Sequence, residues 1–163
     1  MERETPSART EVLIDRLDSL DRAISGWMDR WSTLILRYAL GLVFVWFGGL
    51  KLIGASPATD LVARTIYLVP PETFVPVLGA WEVAIGVCLF YRPLIRVGIL
   101  LLALQIPGTF LPLVVLPEVT FASVPFVPTM EGQYIVKNLV IIGAALAVGG
   151  TVRGEDRRKR EDR

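Results

Sequence analysis

Four long apolar stretches constrain this chain more than any other feature of its sequence. They cover residues 34–54, 74–91, 97–116 and 134–150. A bilayer core about 30 Å thick is crossed by roughly 17 to 25 helical residues, and each stretch has that length. Because lipid offers the backbone no hydrogen-bonding water, such stretches cross it as helices. The sequence therefore predicts an all-α integral membrane protein built as a bundle of four transmembrane helices.

The composition agrees with a membrane protein and excludes several kinds of site. Hydrophobic residues make up 53% of the chain and charged residues 20%, whereas a soluble domain carries about 25% charged residues. With no His and a single Cys, the chain lacks a haem ligand pair, a His-based zinc site and a dithiol. We therefore expect no metal site and no covalent cofactor. No phosphate loop, nucleophile triad or nucleic-acid motif is present, so no nucleic-acid partner is expected.

The segment before the first apolar stretch has a different pattern. Between residues 10 and 33, apolar side chains recur every three or four positions and Asp and Arg occupy the other face. This period predicts an amphipathic helix. Trp27 and Trp31 on the apolar face favour a helix that lies among the lipid headgroups, although packing against a partner would use the same stripe.

Lys and Arg predict the orientation. Five Arg precede Ser32, two lie between the second and third apolar stretches and six basic residues follow position 152, against Arg64 alone in the other two loops. The positive-inside rule then places both termini in the cytoplasm, with the chain crossing the cell membrane several times. The predicted parts are a cytoplasmic or interfacial helix (1–33), the four-helix bundle (34–150) and a charged cytoplasmic tail (151–163).

Glu82 is the residue that most needs an explanation, because it lies about 8 residues into the second helix, roughly 12 Å below the outer boundary. A charge at mid-bilayer costs about 2.5 to 3.5 kcal/mol. Lys51 and Lys137 lie near the outer ends of the first and fourth helices and can reach toward it. We predict a buried cluster of these three residues, with Gln105 and Asn138 supplying hydrogen bonds. A protonated Glu82 would instead need only one hydrogen bond.

Small residues predict how the first two helices meet. Gly41 and Gly48 share one stripe of the first helix with Lys51, and Gly79 and Gly86 flank Glu82 on the second. Glycines allow two membrane helices to approach closely. These stripes are therefore the expected inward faces.

The same charged and aromatic residues can also have purely structural roles. The Glu82 cluster can be an ion pair that fixes helix register and binds nothing. Lys51 alone can be an anchor that extends to the headgroups, and Arg37 near the inner boundary is interpreted as such a headgroup anchor. Trp46 and Trp81 can form an aromatic wall for a flat ring ligand or can simply pack.

Three segments also carry a resemblance. RYALGLVFVWFGGLKL at 37–52, LGAWEVAIGV at 78–87 and EGQYIVKNLVIIGAAL at 131–146 resemble the first, second and fourth helices of the DoxX-like membrane proteins. The likeness covers roughly residues 35 to 150 and is closest to the branch with the reactive-chlorine-resistance inner-membrane protein. It implies a compact four-helix membrane fold in which Arg37, Lys51, Glu82 and Lys137 are the recurring polar positions.

The resemblance also implies a function, since some DoxX-like proteins are described as subunits of thiosulfate:quinone oxidoreductase. We expect a membrane subunit that binds a quinone or a similar lipophilic ligand and works with an oxidoreductase partner, without being catalytic alone. Lys51 and Lys137 would hydrogen-bond a quinone oxygen and Glu82 would pass protons. A small proton-coupled transporter or channel and a non-catalytic anchor or assembly protein are the alternatives, and a homo-oligomer is a further possibility.

Overall fold

The computed structural model describes residues 8–66 and 69–161, and the surroundings of side chains within 13–66 and 69–151. Helices dominate it, so the all-α expectation is confirmed. The helices are α1 (Ala8–Leu52), α2 (Thr59–Thr65), α3 (Pro71–Phe90), α4 (Ile95–Val115), α5 (Pro117–Thr120), α6 (Met130–Val136) and α7 (Asn138–Glu161), with a 3₁₀ turn at Arg92–Leu94 and two short strands, β1 (Phe121–Ser123) and β2 (Val127–Pro128).

Among the described residues, four helical segments are long and apolar enough to cross a membrane. They are Leu13–Leu52, Pro71–Phe90, Arg92–Val115 and Met130–Thr151, which bear out the four predicted crossings. The chain is thus a multi-pass membrane protein whose environment is a lipid bilayer. Its contacts divide it into two units, Met1–Ile35 and Leu36–Arg163.

α1 is continuous from Ala8 to Leu52, so one helix includes both the predicted amphipathic segment and the first apolar stretch. No proline interrupts these residues, so nothing removes a backbone donor or breaks the hydrogen-bond ladder. The helix ends at Leu52 and is followed by Gly54, whose φ of 72° is left-handed. The Ala55 N–H donates to the Leu50 carbonyl at 2.9 Å and the Gly54 N–H to the Lys51 carbonyl at 3.3 Å, the pair of bonds that closes a Schellman motif.

α4 continues as a helix through Pro107 and Pro112. Proline is tolerated in membrane helices where neighbouring groups and local adjustments satisfy the freed carbonyls. At the other end of the chain, α7 reaches Glu161 and so includes most of the predicted tail. The side chains of residues 152–163, which include the charges of the predicted cytoplasmic tail, lie outside the described residues.

The segment between α4 and α7 contains α5, α6 and the two strands, all of them too short to cross a membrane. β1 and β2 pair antiparallel within it. Thr129 then caps α6, because its Oγ1 accepts from the Gly132 N–H at 3.2 Å and donates to the Val119 carbonyl at 2.7 Å. Gly132 lies directly against the Thr120 carbonyl, where a Cβ would have no room.

The apolar core lies within the second unit and draws on four helices. Ile85 and Leu89 of α3 are fully buried at its centre. The core residues are Leu40, Phe44, Ile85, Leu89, Ile95, Leu102, Ala144, Ala145 and Val148. On α1, α3 and α4 the core residues lie toward one end of the bundle. The polar residues Lys51, Glu82 and Gln105 lie on the same helices, nearer to the other end.

Candidate functional site

A buried ion pair joins α1 to α3. Lys51 Nζ lies 2.6 Å from Glu82 Oε2, and the two side chains are 9% and 10% exposed. The other carboxylate oxygen, Oε1, accepts a hydrogen bond from Gln105 Nε2 of α4 at 2.9 Å. Three helices therefore meet at one carboxylate, and the predicted association of Glu82 with Lys51 and Gln105 is confirmed. We call these three residues the polar cluster.

Glycines create the space in which the polar cluster forms. A Cβ on Gly48 would lie 2.6 Å from the Gly79 carbonyl oxygen, and a Cβ on Gly79 would lie 2.8 Å from Lys51 Cβ. Lys51 lies three residues after Gly48, and Glu82 three residues after Gly79, so each charge is one turn from the crossing. The close approach brings the stem of Lys51 against α3 and lets its amine reach the carboxylate.

The second glycine contact repeats this approach deeper in the bundle. A Cβ on Gly86 would lie 2.6 Å from the Gly41 carbonyl oxygen. The spacing of seven residues between Gly41 and Gly48 matches that between Gly79 and Gly86, so the two helices stay close over two turns. The stripes predicted as inward faces are confirmed.

The polar cluster keeps hydrogen-bonding capacity that its members do not use on each other. An ammonium group has three N–H donors, and Lys51 uses one of them on Glu82. Gln105 Oε1 is buried, and within the described part of the chain it has no hydrogen-bond partner. An unsatisfied buried acceptor costs about 1 to 3 kcal/mol. The cluster can therefore offer donors at Lys51 and an acceptor at Gln105 to a further group.

Of the two predicted aromatic residues, one lies beside the polar cluster. Trp81 precedes Glu82 on α3, and its indole N–H donates to the Leu101 carbonyl of α4 at 3.3 Å. Its side chain remains partly exposed at 37%. Trp46 is 63% exposed, because α1 buries Phe44 and Gly48 on either side of it and two residues turn a helix by about 200°. The aromatic wall, one of the two interpretations of Trp46 and Trp81, stays a prediction.

Lys137 and Asn138 are not brought into the polar cluster, contrary to the prediction. Lys137 is exposed, and its Nζ lies over the ring of Tyr134, 5.1 Å from the centroid. Asn138 Nδ2 donates to the carbonyls of Tyr134 and Ile135 at 3.1 and 3.0 Å. Both side chains thus bind to their own helical segment. The spacing of three between Tyr134 and Lys137 was the sequence signal for this contact.

The register between α4 and α7 gives the physical reason. α5, which follows α4, meets α6, which precedes α7, at the Thr120–Gly132 contact, and a Cβ on Gly149 of α7 would lie 3.2 Å from Ile99 of α4. The two helices therefore run antiparallel, which places Lys137 level with about residue 111. That is about 9 Å beyond Gln105 along the helix axis. The predicted fourth helix is also divided, because α6 ends at Val136 and α7 begins at Asn138.

Arg37 lies at the end of the bundle away from the polar cluster. Its Cζ is 4.7 Å from the centroid of the Tyr38 ring, and that ring stacks on Phe90 with centroids 5.7 Å apart. Arg37 is half-buried, and its Nε has no hydrogen-bond partner among the described residues. Its role as a headgroup anchor stays a prediction.

Comparison of the chain with protein-family models, with curated proteins and with solved structures found no match in any of the three.

Proposed function

We propose that this protein is a membrane subunit that binds the polar head of a lipophilic ligand of the quinone type and accompanies a membrane oxidoreductase. The binding site is the polar cluster of Lys51, Glu82 and Gln105. The observation that carries the proposal is a buried ion pair that retains unused donors at Lys51 and an unsatisfied acceptor at Gln105.

The energetics favour a role beyond packing. Desolvating a charged side chain costs several kcal/mol even after relaxation, and a well-packed apolar pair of similar volume would often be as stable or more stable. The glycine contacts bring the backbones of α1 and α3 together through close packing in which the charged groups take no part. Ionisable residues inside membrane helices are functional candidates by default, and this pair is one.

The free hydrogen-bonding groups match both redox forms of a quinone. A quinone oxygen accepts from the remaining Lys51 N–H groups, and the hydroxyl of a quinol donates to Gln105 Oε1. Glu82 would supply or receive the proton as the ring changes redox state. The quinone itself carries the redox chemistry, while the protein binds and orients it.

The neighbouring surface suits a ligand that arrives from the bilayer. Val77, Leu100 and Leu104 of α3 and α4 are between 59% and 62% exposed, and Trp81, whose indole N–H donates to the Leu101 carbonyl of α4, is itself partly exposed. An isoprenoid tail would remain in the lipid while its head group reached the polar cluster. The resemblance to DoxX-like proteins supports an oxidoreductase as the partner.

Lipid extraction of the purified protein followed by mass spectrometry tests the proposal. Wild type should carry quinone well above detergent blanks, and Lys51→Met and Glu82→Gln should each lower the recovery several-fold. Glu72→Gln is the matched control, because Glu72 is an exposed carboxylate in the first turn of the same helix, and its recovery should equal that of wild type. Blank-level recovery from wild type would refute quinone binding.

A proton-coupled transporter is the second candidate function. It is favoured by the Glu82 carboxylate within a membrane span, because each of its two oxygens accepts a hydrogen bond from one side-chain donor. Proton or solute flux in proteoliposomes that disappears in Glu82→Gln but persists in Glu72→Gln would support transport over quinone binding. If Lys51→Met/Glu82→Gln left quinone recovery, flux and partner binding unchanged, the polar cluster would be a structural lock of an anchor protein.

A further inference from the structure

The described part of the first unit presents a regular apolar stripe. Its seven residues follow one another at alternating intervals of four and three and are between 37% and 64% exposed. We call this stripe the N-terminal seam; it consists of Leu13, Leu17, Leu20, Ile24, Trp27, Trp31 and Leu34.

The spacing of the N-terminal seam is that of a coiled coil. Alternating steps of four and three average 3.5 residues, which keeps a single narrow stripe on one side of two supercoiled helices. With Leu13 as a d position, Leu17, Ile24 and Trp31 are a positions and the remaining seam residues are d positions. Three heptads are therefore complete within the described residues.

The flanking positions are complementary to a second copy of the same helix in parallel orientation. In a parallel dimer, each g residue faces the e residue five positions later on the other helix. Arg16 then faces Asp21 of the second copy, and Ala23 faces Met28 of the second copy. The third g residue, Arg30, faces Ile35 of the second copy. One of the three contacts is a pair of opposite charges, and neither of the others places like charges together.

The membrane fixes the same orientation independently. α1 continues into a span that is apolar enough to cross the bilayer. Two copies inserted alike in one membrane have this helix running in the same direction, as parallel pairing requires. A two-fold axis along the membrane normal then relates the two copies, the commonest symmetry of homo-oligomers.

The polar face opposes the alternative in which this helix lies on the lipid surface. Interfacial helices are rich in Lys and Arg on the polar side, which is attracted to anionic headgroups. Between residues 13 and 34 the chain carries four Asp against three Arg. Asp15, Asp18 and Asp29 lie outside the seam, where they would face the headgroups.

From these observations we propose that residues 13–34 pair with the same residues of a second copy as a parallel two-stranded coiled coil, so that the protein is a homodimer joined at the N-terminal seam. The proposal concerns assembly, and it is independent of the quinone site in the second unit.

Disulfide trapping in native membranes tests the pairing. In a Cys88→Ala background, which removes the half-buried native thiol, Leu20→Cys places thiols at facing d positions within disulfide range. Arg22→Cys is the control on the opposite side of the same turn. We expect Leu20→Cys to give about tenfold more cross-linked dimer under mild oxidation, with a yield that persists when the protein is diluted with lipid. Equal yields at the two positions would overturn the proposal.

A charge exchange tests the orientation and the register. Arg16→Asp and Asp21→Arg should each lower the Leu20→Cys cross-linking yield several-fold, and the double variant should restore it, because it rebuilds the pair with reversed signs. Failure of the double variant to recover would refute parallel pairing in this register. Strong quenching of Trp27 by brominated lipids, together with control-level cross-linking, would show instead that the helix lies on the membrane surface.

Discussion

The contact between Gly48 and Gly79 allows a sharp prediction about what holds α1 against α3. In Gly48→Ala the new methyl group would lie 2.6 Å from the Gly79 carbonyl oxygen, 2.8 Å from the Val83 nitrogen and 2.9 Å from Glu82 Cβ. Two of these are backbone atoms that cannot rotate away. Reaching an ordinary contact of 3.4 Å requires the helices to separate by about 0.8 Å, which also pulls Lys51 away from Glu82.

Gly49 supplies a control on the neighbouring residue. A Cβ on Gly49 meets nothing within 4 Å, so Gly49→Ala should stabilise the helix by about 0.5 to 1 kcal/mol through its lower conformational entropy. Gly48→Ala has the same propensity gain and an overpacking cost of about 1 to 3 kcal/mol. The difference between the two variants isolates the overpacking cost, because the propensity terms cancel.

Reversible unfolding of the two purified variants in mixed micelles, followed by tryptophan fluorescence, measures that difference. Gly48→Ala should unfold at a lower denaturant concentration than wild type, and Gly49→Ala at an equal or higher one. Equal midpoints for the two variants would show that α1 and α3 are not in close contact at Gly48, and the geometry of the polar cluster would lose its basis.

Three further outcomes follow from the same contacts. Lys51→Met should destabilise the protein by about 3 to 5 kcal/mol because it leaves a buried carboxylate without its cation, while Lys51→Met/Glu82→Gln should recover most of that loss in the same unfolding assay. Lys137→Gln should leave quinone recovery at the wild-type level, because Lys137 lies over Tyr134 and not in the polar cluster; a loss as large as that of Lys51→Met would contradict the assigned geometry. Thr129→Ala should cost about 1 to 2 kcal/mol and speed amide hydrogen exchange at the start of α6, since it removes a helix cap, whereas Thr129→Ser should retain the protection.

The parts of the fold that the sequence predicted correctly are those controlled by local chemistry. Long apolar stretches predict spans because lipid forces the backbone to satisfy its own hydrogen bonds. The glycine stripes predicted the α1–α3 contact because only small residues allow that approach. The partners of Glu82 were predicted because a buried carboxylate needs hydrogen-bond donors. Lys51 and Gln105 are close enough to donate to it.

The errors concern register between segments that are distant in the chain. The sequence does not specify how far α7 slides along α4, so Lys137 seemed as close to Glu82 as Lys51. The structure shows that the restart of the helix after Val136 and the antiparallel register leave Lys137 beyond reach. Its contact with Tyr134 is local, and a search for helical pairs three residues apart would have found it.

The Lys51–Glu82 pair depends on the Gly48–Gly79 contact, whereas the contact does not depend on the pair. The glycines bring the helix backbones together with or without the charges, whereas the amine reaches the carboxylate only if the helices stay close. Lys51→Met/Glu82→Gln should therefore abolish ligand binding while largely preserving stability, and Gly48→Ala should weaken both. A purely structural pair would make stability the only property that responds to Lys51 and Glu82, so measuring both properties in the same variants separates a binding site from a lock.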